Sequence, residues 1–455
     1  MRTDHILGTP TKTTRLFIAV GMAVLVSAIF PAAAADGVPA VSAREFLQSL
    51  GVCTHIGQGI DDPARSAVAL AYAGIRNLRD DASPRHVHDW ISVHKKSGVK
   101  VVLTHSGPDG AAIPAMLDMA RQLAAADALL ALEGPNEPNN WAVTYGGQKS
   151  KGDSSFVPVA KWQAAFYAAA KSDPVLKDYP VFHSSEAGGS EPDNVGLQFL
   201  TIPDGAATLM PDGTRYADYA NVHNYICRKP AIIDNMAWLN ADPVFHGWTD
   251  GICVEYGKTW RKGFAGYSES DLAKLPRVTT ETGWVTGGPN GLTPEQQGRL
   301  YLNLYLAQFK RGFRHTFVYM LRDAGGSDAG YGIFQTDYQP KRSAIYLHNL
   351  TSILADDGGA VAPATLDYTI PNPPPTVHDL LLQKGDGTFG LVVWSEKASG
   401  SSPITVDLGA TRPSVKLYDP TTGAAPTQTL TAARSVPLTL SDHPVLLELP
   451  PPPSR

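Results

Sequence analysis

An amide and a carboxylate stand together at Asn136-Glu137, just after the apolar run Leu129-Leu130-Ala131-Leu132 and the break at Gly134-Pro135. A second carboxylate, Glu281, closes the run Val278-Thr279-Thr280 and is followed by Thr282-Gly283-Trp284. Hydrolysis of a glycosidic bond needs two carboxyl groups, one on each side of the bond, with one protonated and the other ionised. An amide beside the first could hold a substrate hydroxyl. The two segments lie far apart in the chain, so the fold must bring them together.

The elements that would do so can be read along the chain. Short apolar runs at Gly51–His55, Ile75–Arg79, Val99–His105, Leu129–Glu133, Val181–Ser184, Tyr219–His223, Val278–Glu281 and Thr316–Tyr319 read as eight strands. Helical patterns fall between them at Pro63–Ala73, Pro84–Ser97, Ile113–Ala126, Val157–Lys171 and Pro294–Arg311. The last opens on Thr293-Pro294-Glu295, an N-cap followed by Pro at the first helical position. Alternating β and α units predict a parallel sheet, and eight of them predict a closed (β/α)8 TIM barrel. The region to about residue 355 exceeds the typical ~250 residues of such a barrel, and the excess falls in loops at 142–156, 185–216 and 241–276. Catalytic groups of this fold sit at the C-terminal ends of the strands. Glu137 follows strand four and Glu281 ends strand seven, which places them across the barrel mouth from one another.

After Leu354 the character changes. Asp356-Asp357-Gly358-Gly359 breaks the last helix, and Pro371, Pro373, Pro374 and Pro375 mark a linker-like turn. Runs at Thr388–Trp394, Ile404–Leu408, Val415–Tyr418 and Val445–Leu449 then predict an all-β sandwich. The expected organisation is a signal peptide over 1–35, a catalytic barrel over 36–357 and a β-sandwich over 358–455 with a Pro-rich tail. The signal is read from Arg15, the apolar run Leu16–Phe30 and the small-residue site Ala33-x-Ala35. That run is shorter than the roughly twenty residues that span a bilayer. Secreted or periplasmic export is expected, with no stable membrane insertion after cleavage. The chain has 455 residues, 18% charged and 43% hydrophobic, with a net charge of -5 and no basic cluster. Nucleic acid is therefore not an expected partner. Of the three cysteines, Cys227 and Cys253 flank one insertion and are the expected disulfide pair, whereas Cys53 reads as a buried small residue. No CxxC or HExxH spacing occurs, so a structural zinc is not expected, and hydrolysis by two carboxylates needs no metal or cofactor.

With the strands counted, Asn136-Glu137-Pro138 and Thr280-Glu281-Thr282-Gly283-Trp284 resemble the catalytic segments of clan A glycoside hydrolases. The barrel-plus-sandwich layout is closest to family 39 and its bacterial exopolysaccharide-hydrolase relatives. Tyr331-Gly332-Ile333-Phe334 and Pro340-Lys341, leading into a final helix, fit the same pattern. The resemblance implies a retaining enzyme in which Glu137 is the acid/base and Glu281 the nucleophile. It implies that Arg79, ending strand two, hydrogen-bonds Glu281 and keeps it ionised, since a nearby cation favours the carboxylate. It implies that His223 and Tyr225, after strand six, contact the nucleophile or the acid/base. Asn136 would bond the sugar's 2-hydroxyl. The clan often places a Trp after strand eight as the sugar platform; here the place reads Val318-Tyr319-Met320, so Tyr319 or Trp284 would serve.

Other readings stand beside these. Glu133 and Glu186 are rival carboxylates near strand ends. Arg79 reads equally as a structural ion-pair partner of Asp80 and Asp81. His55, His105 and His183 fall near strand ends, where they could line the mouth and bond sugar or, as a cluster, bind a metal. Trp141 and Tyr145 are either stacking surfaces or loop packing. The expected function is a monomeric, secreted retaining glycosidase that cleaves β-linked bonds, endo-acting on a polysaccharide or exopolysaccharide. Transglycosylation is a variant on the same site. The alternatives are a non-catalytic carbohydrate-binding barrel and a metal-dependent barrel hydrolase.

Overall fold

The computed structural model describes residues 37–105, 112–150, 155–185, 196–226, 231–244, 266–289, 291–356, 358–359 and 362–451. The expected signal segment, Cys227, Cys253 and Glu186 lie outside the described residues.

Eight parallel strands form one sheet. In chain order they are Leu50–Cys53, Asn77–Asp81, Lys100–His105, Leu129–Pro135, Val181–Phe182, Ala220–Asn221, Arg277–Thr282 and Phe313–Val318. Each hydrogen-bonds the next, and the eighth returns to the first through Thr316–Leu50 and Val318–Val52. Between the fifth and sixth the ladder narrows to one bridge, Phe182–Tyr219, with His183 N–H donating to the Tyr219 carbonyl at 2.9 Å. The predicted (β/α)8 barrel is therefore present. Its interior is filled by Cys53, Val102, Ala131, Phe182, Val278, Phe317 and Met320, so the centre is a packed core and side chains reach solvent at the strand ends.

Local sequence explains the helices around it. Pro63–Ala73 starts at Asp62, whose carboxylate accepts from Arg65 N–H, and ends at Gly74 in the left-handed region. Pro294–Lys310 starts at the expected N-cap Thr293 with Pro at the first position, and the structure adds a capping box between Thr293 and Gln296. Pro84–Ser97 is split: Pro84–His86 is a 3-10 turn and the α-helix runs Val87–Ser97. No described helix is long and apolar enough to cross a membrane.

The C-terminal module is a second β layer with its own core of Leu381, Phe389, Leu391, Val406, Val436 and Leu447 among others. Its six-stranded sheet runs in the order Gln428–Leu440, Ser402–Tyr418, Pro444–Leu449, Phe389–Ser395, Val377–Gln383 and Val41–Ser42. Ile404–Leu408 and Val415–Tyr418 are thus parts of one long strand, irregular between Asp407 and Arg412. Residues before the barrel also take part: Val38–Pro39 pairs with Thr365–Leu366.

The two layers meet through specific contacts. The Trp238 ring is packed between Arg311, 4.6 Å from its centroid, and His378, stacked at 4.0 Å. Glu396 accepts from Trp238 N–H and Trp394 Nε1. Asp442 binds Arg299 and His443, and His443 also reaches Asp419.

These groups make stability depend on pH. Burial raises Glu396 to about 7, and burial raises Asp80, in the first helix-packing layer of the barrel, to about 8. Burial opposes the charge on His443, but Asp419 and Asp442 outweigh it and raise the imidazole to about 9. All three bind protons more tightly when folded. Their contributions are complete below the unfolded values, near 4 for the carboxyls and 6.5 for imidazole, and are lost as pH climbs through the folded ones. His183, His315 and His378, held to about 4 by burial, act in the opposite sense, but only up to about pH 6.5. Thermal unfolding should therefore show the melting temperature falling from pH 6.5 to 9, with a shallower fall in His443→Gln. A flat or rising profile in that window would contradict this reading.

Candidate active site

The strand ends converge on a cluster of three carboxylates and one guanidinium. Arg79, on strand two, is 5% exposed. Its Nε and Nη2 donate to the two oxygens of Glu133 at 2.7 and 2.9 Å, Nη1 donates to Glu281 Oε1 at 2.7 Å, and Nη2 also reaches Asn136 Oδ1 at 2.7 Å. Burial opposes its charge, but Glu133 and Glu281 more than compensate and hold it firmly protonated. The bidentate fork is geometry that only arginine supplies. Both readings of Arg79 therefore have a basis, with a different structural partner. Asp80 does not pair with it and instead ties down the loop after strand one through Thr54, Ile56 and Gly57.

Glu133 lies beneath the rim, fully buried within strand four. Besides Arg79 it receives Thr280 Oγ1 at 2.9 Å and, more distantly, Asn221 Nδ2 and Ser185 Oγ. It is the anchor of the cluster, sealed off from the mouth.

Glu137 stands one step beyond the strand. Gly134 makes the approach possible: a Cβ there would lie 1.9 Å from Gln163 Oε1 and 2.8 Å from Ser184 N. Glu137 itself adopts φ 40°, a region that non-glycine residues rarely occupy, and its carbonyl accepts from both Asn140 N–H and Trp141 N–H at 2.8 Å. Its Oε1 meets His223 Nδ1 at 2.8 Å and its Oε2 accepts from Asn140 Nδ2 at 2.9 Å. Burial would raise the Glu137 carboxyl, but the His223 hydrogen bond and charge, then Asn140 and Arg79, outweigh it and hold its pKa below the ordinary value. This is the opposite of what a resting general acid requires, and the cause is local: both oxygens already have donors.

Glu281, 7% exposed, ends strand seven. Its Oε2 accepts from Tyr225 OH at 2.6 Å and lies 3.6 Å from His223 Nδ1. Burial and the neighbouring Glu281 push the Tyr225 phenol well up, so it keeps its proton and donates. A Glu137 oxygen, a Glu281 oxygen and a His223 nitrogen all lie within 4.8 Å of one another. Gly283 follows with φ 143°, where a Cβ would meet Tyr301 OH at 2.7 Å.

The remaining expected residues divide. Tyr319 is half-buried beside His55, Tyr225 and Tyr331, with ring centroids 5.6, 6.2 and 5.6 Å away. Trp284 follows Glu281 by three residues, is 4% exposed and belongs to the main apolar core. The His105 ring lies nearly parallel to buried Trp162, 6.0 Å away, while its carbonyl accepts from Asn136 N–H. His183 is buried with Nδ1 on the Ser184 carbonyl. The sequence reasoning missed Asn140, Asn221 and Thr280. The signal available for Asn221 was an amide among the apolar neighbours Ala220 and Val222; Thr280, in the largely polar strand Arg277–Thr282, carried none. Thr280 Oγ1 meets His223 Nε2 at 3.1 Å and Asn221 at 2.9–3.0 Å, and so joins the His223 site to Glu133.

The fold recurs among solved structures. A glycoside hydrolase family 30 subfamily 8 xylanase from Clostridium acetobutylicum aligns with TM-score 0.52 at 14% identity, covering 91% of this chain and 97% of that one. A glucosidase from Croceicoccus marinus aligns with TM-score 0.52 at 12% identity, over 91% and 99%. A GH30 endoxylanase from Clostridium papyrosolvens C71 gives 0.50 at 9% identity, over 89% and 96%. This likeness is one of fold, and it agrees with the clan A architecture read from the motifs after strands four and seven. No family model and no curated protein matches the chain.

Proposed function

We propose that the chain is an exported retaining glycosidase acting on β-linked sugars of an oligosaccharide or polysaccharide. The observation that carries the reading is the carboxylate pair, with oxygens of Glu137 and Glu281 within 4.8 Å and Arg79 and Tyr225 holding the second. Oxygens that close favour the ~5–5.5 Å carboxyl separation of retaining enzymes over the ~6.5–9.5 Å that leaves room for an inverting water.

In this mechanism Glu281 attacks the anomeric carbon as the bond to the glycosidic oxygen breaks, and Glu137 gives that oxygen its proton. Water then attacks the same carbon, Glu137 takes the water's proton, and the Glu281 ester bond breaks. For Glu137 to carry the first proton, the incoming glycosidic oxygen must take the place of a resident donor, and Asn140 is the one on the rim. Asn136, positioned by Arg79, is set to bond the 2-hydroxyl. Export is read from Arg15, Leu16–Phe30 and Ala33-x-Ala35. The length of the segments between the later strands favours endo action.

Incubation with a panel of β-glucans and bacterial exopolysaccharides, with sizing of the products, tests the reading; release of shorter chains from none of them would count against it. A metal-dependent reading has one observation in its favour, the convergence of Glu137, His223 and Glu281. Those atoms already serve one another, Arg79 and Tyr225. Activity should survive a strong chelator, and its loss with recovery on adding back a divalent metal would favour the metal site.

A further inference from the structure

Six tryptophans fall among the described residues, and five are packed. Trp90, Trp162 and Trp394 have no exposure, Trp284 has 4%, and Trp238 lies between Arg311 and His378. Trp141 is 59% exposed. It does not sit on a loose loop. Its own N–H donates to the Glu137 carbonyl at 2.8 Å, and two residues later Val143 is buried at 2% exposure. Val143 is clamped there by Ser150, through Val143 N–H to Ser150 Oγ at 2.8 Å and Ser150 N–H to the Val143 carbonyl at 2.9 Å. The hairpin Thr144–Tyr145 with Gln148–Lys149 closes the same loop. The chain therefore fixes the backbone on both sides of this residue and leaves most of its large apolar ring in water, where it forgoes the stabilisation that burial would give.

Its place relative to the chemistry is equally fixed. The turn from Glu137 to Trp141 is a single hydrogen-bonded loop whose first residue is the proposed acid/base. A general acid stands on the leaving-group side of the bond it protonates. The backbone that carries the Trp141 ring is held one turn from it by the bond to the Glu137 carbonyl, and the C–H face of a pyranose packs on an aromatic ring. Asn140, between the two, offers an amide to the same neighbourhood.

We propose that Trp141 is the stacking platform for the leaving-group sugar, the pyranose whose glycosidic oxygen Glu137 protonates. This deepens the glycosidase reading and rests on it. A substrate with a sugar on the leaving-group side uses the platform; a glycosyl fluoride, which has no ring there, cannot.

The test compares kcat/KM of wild type, Trp141→Ala and Trp141→Phe on a β-linked oligosaccharide and on the glycosyl fluoride of the same terminal sugar. Trp141→Ala should lose at least tenfold more on the oligosaccharide than on the fluoride, and Trp141→Phe should recover most of that difference. Equal losses on the two substrates, or none, overturn the proposal. The same pair of variants is placed in the Glu281→Gln background, and oligosaccharide binding is followed by titration calorimetry. Weaker binding in Trp141→Ala supports the platform and unchanged binding overturns it. If wild type turns over neither substrate, the glycosidase reading has failed, and this binding comparison alone decides the platform.

Discussion

Glu281→Gln should lower kcat about 10,000-fold or more, ~5.5 kcal/mol of transition-state stabilisation, with little change in melting temperature. The amide keeps an oxygen to accept from Arg79 Nη1 and can donate to the Tyr225 oxygen, so the contacts at 2.7 and 2.6 Å have replacements. What it cannot do is form the bond to the anomeric carbon. Glu281→Ala opens a space instead. With a sugar bearing a good leaving group, azide should enter that space, attack the anomeric carbon once and yield the inverted glycosyl azide. Glu137→Ala should behave differently. It keeps the nucleophile, so activated substrates react, and azide intercepts the intermediate to give the retained glycosyl azide. Exchange of those two product configurations between the variants would reverse the assigned roles; a carbohydrate-binding barrel would show no turnover to lose in the first place.

Arg79→Met should be the most damaging single change to the barrel itself. Arg79 is bonded to Glu133, Glu281 and Asn136 at once, and its removal strands Glu133 in a site with no exposure. Breaking a buried pair from one side typically costs ~3–5 kcal/mol, mostly the penalty of the charge left behind. Adding Glu133→Gln should therefore return much of the stability, since the amide leaves no charge and can still use Thr280 and Asn221. It should not return activity. Glu281 has lost its cation in both variants, and loss of one such preorganised electrostatic partner costs about 100-fold or more in kcat. Stability and catalysis thus separate within one double-mutant cycle. Arg79→Lys should rescue little of either, because a point charge cannot serve three acceptors in a plane. If the double variant were as unstable as Arg79→Met, Glu133 would not be the partner whose charge Arg79 neutralises.

Much of this architecture is legible in the amino-acid sequence. Most of the eight strands are marked by apolar runs, because both faces of a barrel strand are covered; Asn77–Asp81 and Arg277–Thr282 are largely polar and are placed by their spacing between helical stretches. Pro63 and Thr293-Pro294 marked helix starts by local bonding alone. The C-terminal layer was read less completely. Val377–Gln383 follows a run of prolines that looks like linker, and Gln428–Leu440 is mostly exposed, so neither shows a buried-strand pattern. Val41–Ser42 is too short to signal anything, and only the distant partner Val377–Gln383 makes it a strand.

The site shows the same division. Asn136, Glu137 and Glu281 stood out because polar groups at the end of apolar runs are costly without a purpose. Arg79 was visible as a charge on a strand and its bond to Glu281 was expected from the resemblance, but its second partner was not, since Glu133 lies two strands away and ion pairing across a barrel leaves no trace in local sequence. Trp284 illustrates the converse. Its place after Glu281 suggested a sugar platform, and its burial in the main apolar core at 4% exposure is set by contacts that local sequence does not announce. Tyr319, the other expected ring, lies beside Tyr225 and His55. The lowered Glu137 carboxyl depends on His223 and Asn140, which only the folded chain brings to its two oxygens.

The claim on which the account turns is that Glu281 becomes covalently bonded to the sugar. A 2-deoxy-2-fluoro-β-glycosyl fluoride of the sugar identified by product sizing slows hydrolysis of the intermediate more than its formation. Intact mass and peptide mapping of the treated enzyme should then show one added fluorosugar, on the peptide carrying Glu281, and none in Glu281→Gln. An adduct on Glu137 or Glu133, or an enzyme that cleaves the parent glycoside yet never gains the mass, would contradict it.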